Sequence, residues 1–232
     1  MCSKSKIAVL YFSRKAQDEA VQKQWLGRRG NTRDRAIATA LIAHSLKAVE
    51  ASGLPVFHYH KDNQSGDTFG QRLANAYEEL FDQGYDAVIA VGNDTPELSA
   101  INWQEAISPL EAGRCVLGAS LRGGAYFIGL TAAAFRKNVF QNLSWQTKGL
   151  FRELQAYCTS EEEQPHLLSA LRDVNTFHDL LALARVKGVA RGLCRFITRI
   201  LLQKNSEFPF SFRDTLSSFA SPVSLRGPPA IA

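Results

Sequence analysis

Short apolar runs alternate along this chain with longer stretches in which apolar residues recur at helical spacing. Residues 6–13, KIAVLYFS, form a compact run suited to a strand buried on both faces. Residues 14–35 are polar and basic, with Lys15, Arg28, Arg29, Arg33 and Arg35 around Gly27 and Gly30, and read as a mobile loop or short helix over a strand end. A helix follows, capped by Asn31 or Thr32, with Ile37, Leu41, Leu46 and Val49 on one face up to Gly53. LPVFHYH reads as the second strand. In the segment from Gln64 to Gly84, Thr68 and Gln71 make a capping box, and Phe69, Leu73, Ala76, Tyr77 and Leu80 form an apolar stripe. The strand AVIAVGN comes next, then a helix around Ile101 to Leu110, the strand CVLGAS, a Gly-Gly turn and the strand AYFIGLT. A helix near Gln146 to Tyr157, an edge strand HLLSAL and a helix TFHDLLALA complete the pattern. Strands alternating with helices predict an α/β fold, a three-layer, mostly parallel sheet with helices on both faces.

From Arg185 the pattern changes. Arg185, Lys187, Arg191, Arg195, Arg199 and Lys204 follow one another without an acid, and Arg191, Arg195 and Arg199 recur at every fourth position opposite Val189, Leu193, Phe196, Ile197 and Ile200. That is a basic amphipathic helix, read either as docked on the domain with a solvated basic face or as a peripheral contact with an anionic membrane through residues 185–204. Pro209, Pro222, Pro228 and Pro229 among serines and aromatics mark a loosely held tail. The expected organisation is a domain over 1–184 and a basic, partly flexible extension over 185–232.

Composition sharpens this outline only moderately. At 232 residues, with 45% hydrophobic and 21% charged residues, the chain is long enough for one α/β core with an appendage. A net charge of +5 suits phosphate-bearing ligands, nucleic acid or an anionic membrane surface. The basic residues are scattered and no aromatic platform accompanies them, which places nucleic acid last. Cys2, Cys115, Cys158 and Cys194 lack the paired spacing of a zinc site or redox dithiol. No segment reaches the length of a membrane span, and the first residues lack a secretory core. The expected location is cytoplasmic, with membrane association the variant that the basic helix permits.

Candidate chemistry centres on VIAVGNDTPEL, residues 88–98, where an apolar run ends in Asn93, Asp94 and Pro96. A carboxylate at the carboxyl end of a buried strand sits where open α/β sheets bind ligands, and it can hold a divalent cation against a diphosphate. The alternative is that Asp94 caps the helix that starts near Pro96. Arg72, Asn75 and Glu79 share a face away from the apolar stripe of their helix. Glu97 is either a helix-start acid or a polar group of a cleft. His58 and His60 share one strand face without a third metal ligand nearby.

The ordered motifs QxGDxxGxRLANAYxxLF, VIAVGNDTPEL, LGxxxxGGAYFIGL, SWQT and LRDVNTxxDL resemble the glycosyltransferase-like family of bacterial arsenosugar biosynthesis, over residues 6 to about 184. The resemblance implies a GT-A fold, a Rossmann-like sheet that binds a nucleotide-diphosphate sugar, and transfer of that sugar to an unknown acceptor. It implies Asp94 as the strand-end aspartate that approaches Mg²⁺ or Mn²⁺ at the donor diphosphate. It places Asp67, Gly70, Arg72, Asn75 and Asn93 near the nucleotide, Arg33 at the end of a basic motif, Gly123 and Gly124 at a turn near the sugar, and Trp145 at the site mouth. Trp145 is either a stacking platform or core packing. Two departures stand out: Arg122 where the family often has Asp, and Asn175 where a second Asp is usual. Each removes an anionic ligand. Arg122 either takes over charge neutralisation at the diphosphate or points into solvent. Two further readings remain: a nucleotidyltransferase of the molybdenum-cofactor or coenzyme F420 type, and a non-catalytic nucleotide-binding module. The first usually carries a glycine-rich loop directly after strand one, where this chain has SRKAQDEA.

Overall fold

The computed structural model describes residues 5–27, 31–161, 163–183 and 189–202. In chain order the elements are β1 (Ile7–Phe12), α1 (Ala16–Lys23), α2 (Thr32–Glu50), β2 (Val56–Tyr59), α3 (Phe69–Asp82), β3 (Ala87–Val91) and a 3₁₀ turn (Pro96–Ala100). They continue with α4 (Trp103–Glu111), β4 (Val116–Ser120), β5 (Ala125–Thr131), α5 (Lys137–Phe140), α6 (Leu150–Cys158), β6 (His166–Leu171), α7 (Phe177–Leu183) and α8 (Arg191–Leu202).

The strands form one sheet in the order β2-β1-β3-β5-β4-β6. Only β5 runs against its neighbours, pairing antiparallel with β3 and β4. Alternation along the central strands explains the two covered faces: Val88 and Ala90 pack with Leu73, Tyr77 and Leu80 of α3 and with Leu150 and Leu154 of α6. Ala87, Ile89 and Val91 point the other way, toward Val49 of α2 and Ala106 and Leu110 of α4. The three-layer, mostly parallel α/β fold expected from the sequence is therefore the one observed.

Local signals act as the sequence reading requires. Thr68 accepts from the Gln71 amide and Gln71 returns a bond to the cap, which fixes where α3 begins. Asn31 caps α2 through the Arg33 amide at 2.9 Å. The edge strand β6 and the helix α7 lie where HLLSAL and TFHDLLALA place them. The helix expected around Ile101 to Leu110 is α4, which starts at Trp103 because the Asn102 side chain accepts from the Gln104 amide, and the turn that begins at Pro96 is a separate 3₁₀ segment ending at Ala100.

The basic helix α8 is docked. Its Leu193, Ile197 and Ile200 share a cluster with Trp25 and with Ile37 and Leu41 of α2 and Leu180 and Leu183 of α7. Its apolar face is thus buried by the protein itself, and laying that face in a membrane would require undocking it. Arg185, Lys187, Lys204 and the proline-containing tail, like the proposed boundary at 184, fall outside the described residues. Among the described residues no helix is long and apolar enough to cross a membrane.

Candidate functional site

Chain direction explains where the site lies. From β1 the chain moves to β2 on one side and later to β3 on the other, so the carboxyl ends of β1 and β3 part at a topological switch point. Because β5 is antiparallel, its amino end, with Gly124 and Ala125, arrives at the same rim. A cleft of about 280 Å³ opens there. Its floor is apolar, from Phe12, Phe69, Leu73 and Ile128, and its walls carry Ser13, Arg14, Gln64, Arg72, Asn93, Asp94, Thr95, Tyr126, Trp145 and Asp173.

Asp94 follows β3 and faces this cleft, with its side chain 40% exposed. It does not cap the following turn; Thr95 occupies the cap position, without a side-chain cap bond. The Asp94 backbone carbonyl instead accepts from the Val174 amide at 2.8 Å, tying the loop after β6 to the end of β3. That loop brings in Asp173, whose Oδ1 accepts from the Thr95 hydroxyl at 2.8 Å. Burial pushes the Asp173 carboxyl up, against the Ser120 and Thr95 hydroxyls that favour its charge, and the nearby Asp94 adds to the upward push.

A second layer lies behind Asp94. The Lys23 ammonium donates to Asp94 Oδ2 at 3.0 Å and to Asn175 Oδ1, and lies 3.6 Å from Glu19 Oε1. Glu19 is fully buried and also accepts from Arg14 at 3.2 Å. Burial raises its carboxyl, with Asp94 adding to the rise and Lys23 and Arg14 opposing it.

Of the residues singled out in the sequence, Arg72, Asn93, Asp94, Gly124 and Trp145 thus meet around one cleft. The remaining expected residues do not line it. Asn75 donates to the Ser65 carbonyl at 2.8 Å and shapes the loop before α3. Asp67 has an exposed side chain, and only its backbone takes part in the cap, through Gln71. Arg33 stands in the first turn of α2, away from the lining. Gly70 is buried beneath Trp145, and Gly123 adopts φ +89° beside the Lys148 carbonyl. Both are sites of close backbone approach rather than ligand contacts.

Arg122 corrects the sequence expectation most sharply. It neither reaches the cleft nor points idly into solvent: its guanidinium donates to Asp179 Oδ1 at 2.7 Å. Burial works against the charge of Asp179, but the Thr176 hydroxyl, the Thr176 and Asn175 amides and Arg122 outweigh it and hold the carboxyl below the usual range. Arg122 therefore clamps the loop carrying Asp173 and Asn175. Glu97 accepts from the Arg172 amide at 2.9 Å and braces the same loop. His58 accepts or donates a bond with the Ser13 hydroxyl at 2.8 Å and meets His60 edge to face; His60 also lies 4.0 Å from the Asp62 carboxylate, but among the described residues these do not make a metal-binding group.

Sequence reasoning missed Arg14, Lys23, Glu19 and Asp173. Asp173 stood in the quoted LRDVNT motif and could have been found there. Glu19 and Lys23 are four apart in α1, so they share one face of a helix in a segment read only as a loop or short helix.

A divalent cation was expected at Asp94, and the donor set fits it poorly. One Asp94 oxygen already receives the Lys23 ammonium, and the motif's second carboxylate is Asn175, whose amide oxygen accepts from the same ammonium. Among the described residues no three His, Cys, Asp or Glu side chains converge at metal-binding spacing.

Two carboxyls that desolvation raises, Glu19 and Asp173, predict a pH effect. For Glu19 and Asp173 the fold disfavours the charged form, so their stabilising share is full below the ordinary carboxylate range and is lost as pH rises through the raised values. Urea midpoints of Asp173→Asn should fall less than those of wild type between acid and neutral pH. Parallel curves would contradict the burial argument.

Sheet order, the reversed β5 and the cleft at the switch point define the class by architecture: a three-layer, mostly parallel α/β fold with one antiparallel strand inside the sheet. A crystal structure from Desulfovibrio desulfuricans G20, described as a candidate nucleotide-diphospho-sugar transferase, shares this fold with a TM-score of 0.67 at 19% identity, covering 84% of this chain and 98% of that one. More distant similarity reaches Rv0371c of Mycobacterium tuberculosis H37Rv, 15% identical over 79% of this chain and 100% of that one with a TM-score of 0.43. Residues 15–147 match the family described as uncharacterized protein conserved in bacteria, DUF2064, and the chain belongs to that family. No curated protein matches it.

Proposed function

We propose that the cleft binds a nucleotide-diphosphate sugar and that the protein transfers the sugar to an acceptor. The observation that carries this reading is the arrangement of charge at the switch point: the guanidinium-bearing Arg14 and Arg72 and the carboxylates Asp94 and Asp173 line a single cleft. Guanidinium suits a diphosphate, whose negative charge grows as the bond to the anomeric carbon breaks. Trp145 is half-buried and lines the cleft, an aromatic surface on which a sugar can rest. Asp173, held by Thr95 and with its carboxyl raised, is suited to accept the proton that an acceptor hydroxyl gives up as its oxygen bonds to the anomeric carbon. No step in this reading runs through a metal.

A thermal-shift panel of nucleotide-diphosphate sugars tests it. A donor at one hundred times its dissociation constant adds about 2.7 kcal/mol of stability, which raises the melting temperature by about 5–10 °C for a domain of this size. A well-folded protein that responds to no sugar donor sinks the reading. A response confined to nucleoside triphosphates, with pyrophosphate released on turnover, replaces it with nucleotidyl transfer.

A further inference from the structure

Only 10% of the Lys23 side chain is exposed, whereas that of its partner Asp94 is 40% exposed at the cleft. An ammonium has three N–H donors, and three acceptors surround this one: Asp94 Oδ2, Asn175 Oδ1 and, at the longer ion-pair distance of 3.6 Å, Glu19 Oε1. We propose that Lys23 is the resident counter-cation of the site, holding Asp94 from behind and keeping the Asp94 and Asp173 carboxylates from taking up a divalent cation.

Three features of the chain bear on this. Glu19 and Lys23 lie four apart on α1, so the short helix that follows β1 delivers a cation and its own counter-charge together. The charges around the cleft balance without help: Glu19, Asp94 and Asp173 face Lys23, Arg14 and Arg72. Asn175 supplies a neutral oxygen to the ammonium, where a carboxylate would leave the buried cluster with one negative charge too many. A neutral residue at 175 and a lysine at 23 are thus two parts of one electrostatic solution. A divalent ion placed on Asp94, about 5 Å from that ammonium, is repelled enough to weaken its binding about tenfold even at the dielectric of water.

The inference is read on the protein alone, without donor or turnover, so it stands or falls separately from the proposed sugar transfer. Electron paramagnetic resonance of free Mn²⁺ measures uptake directly. Wild type and Lys23→Arg should leave the Mn²⁺ signal close to that of buffer, whereas Lys23→Met should bind one Mn²⁺ at least about tenfold more tightly. Adding Asp94→Asn to Lys23→Met should abolish that uptake. If Lys23→Met lacks a cooperative melt, Lys23→Gln, which keeps a polar group against Asp94, takes its place. The proposal is overturned if folded Lys23→Met or Lys23→Gln binds Mn²⁺ no better than wild type. It is equally overturned if wild type binds one Mn²⁺ that Asp94→Asn abolishes, whatever the Lys23 variants do.

Discussion

Gly70→Ala should lower stability and move Trp145 out of the cleft, although alanine is the better helix former. A Cβ at position 70 would lie 2.1 Å from the Gln141 carbonyl oxygen and 2.5 Å from Trp145 Cδ1, far inside contact distance. The carbonyl belongs to backbone and cannot simply rotate away. The indole is fixed by its bond to the Phe140 carbonyl at 2.9 Å and by its edge contact with Phe140, with ring centroids 4.9 Å apart. Alanine in the first turn of α3 gains about 1 kcal/mol of helix propensity at most, while overpacking costs about 1–3 kcal/mol or more, so the clash decides the sign. Chemical denaturation should show a net loss, and tryptophan emission should shift as the ring meets water. Gly192→Ala is the internal contrast. Nothing lies within 4 Å of its added Cβ near the start of α8, and the same substitution there should be neutral or stabilising by up to about 1 kcal/mol. Equal effects at the two positions would refute the packing account of Gly70.

That contrast marks what could be read before folding was considered. Periodicity placed the central strands and α3, because Val88 to Val91 and the Leu73, Tyr77, Leu80 stripe obey simple rules of burial on two faces and on one. The cap at Thr68 was legible because its partner Gln71 is three residues away. The cleft was legible in part: a strand-end aspartate points to the switch point, and Asp94 does line it. What stayed hidden depends on distance along the chain. Lys23 meets Asn175 across 152 residues, and Arg122 meets Asp179 across 57. No local pattern announces such pairs, so Arg122 read either as a cation for the diphosphate or as a solvent-facing turn residue, when it is a brace for the Asp173 loop. Lys23 was equally invisible, since one lysine in a polar stretch resembles any other until the fold brings α1 against the loop after β6.

The loss of Arg72 should weaken binding of a nucleoside diphosphate by about tenfold to a hundredfold, the value of one charge-assisted hydrogen bond at about 1.5–3 kcal/mol. Arg72 lines the cleft from α3 while one of its guanidinium nitrogens donates to the Asp67 carbonyl at 3.1 Å, which orients the fork and leaves other N–H groups for a ligand. Arg14 stands across the same cleft on the chain after β1, anchored by Glu19, and is likewise not exhausted by one partner. Calorimetric titration of Arg14→Ala and Arg72→Ala should therefore show a similar loss for each, and a larger one for the double variant. Binding of the corresponding nucleoside, which has no phosphate, should hardly change. Arg72→Lys should recover only part of the affinity, since an ammonium keeps the charge but not the fork. Equal affinities for wild type and a folded double variant would mean that the diphosphate lies elsewhere, and the carboxylates of the cleft would then need another ligand to explain their company.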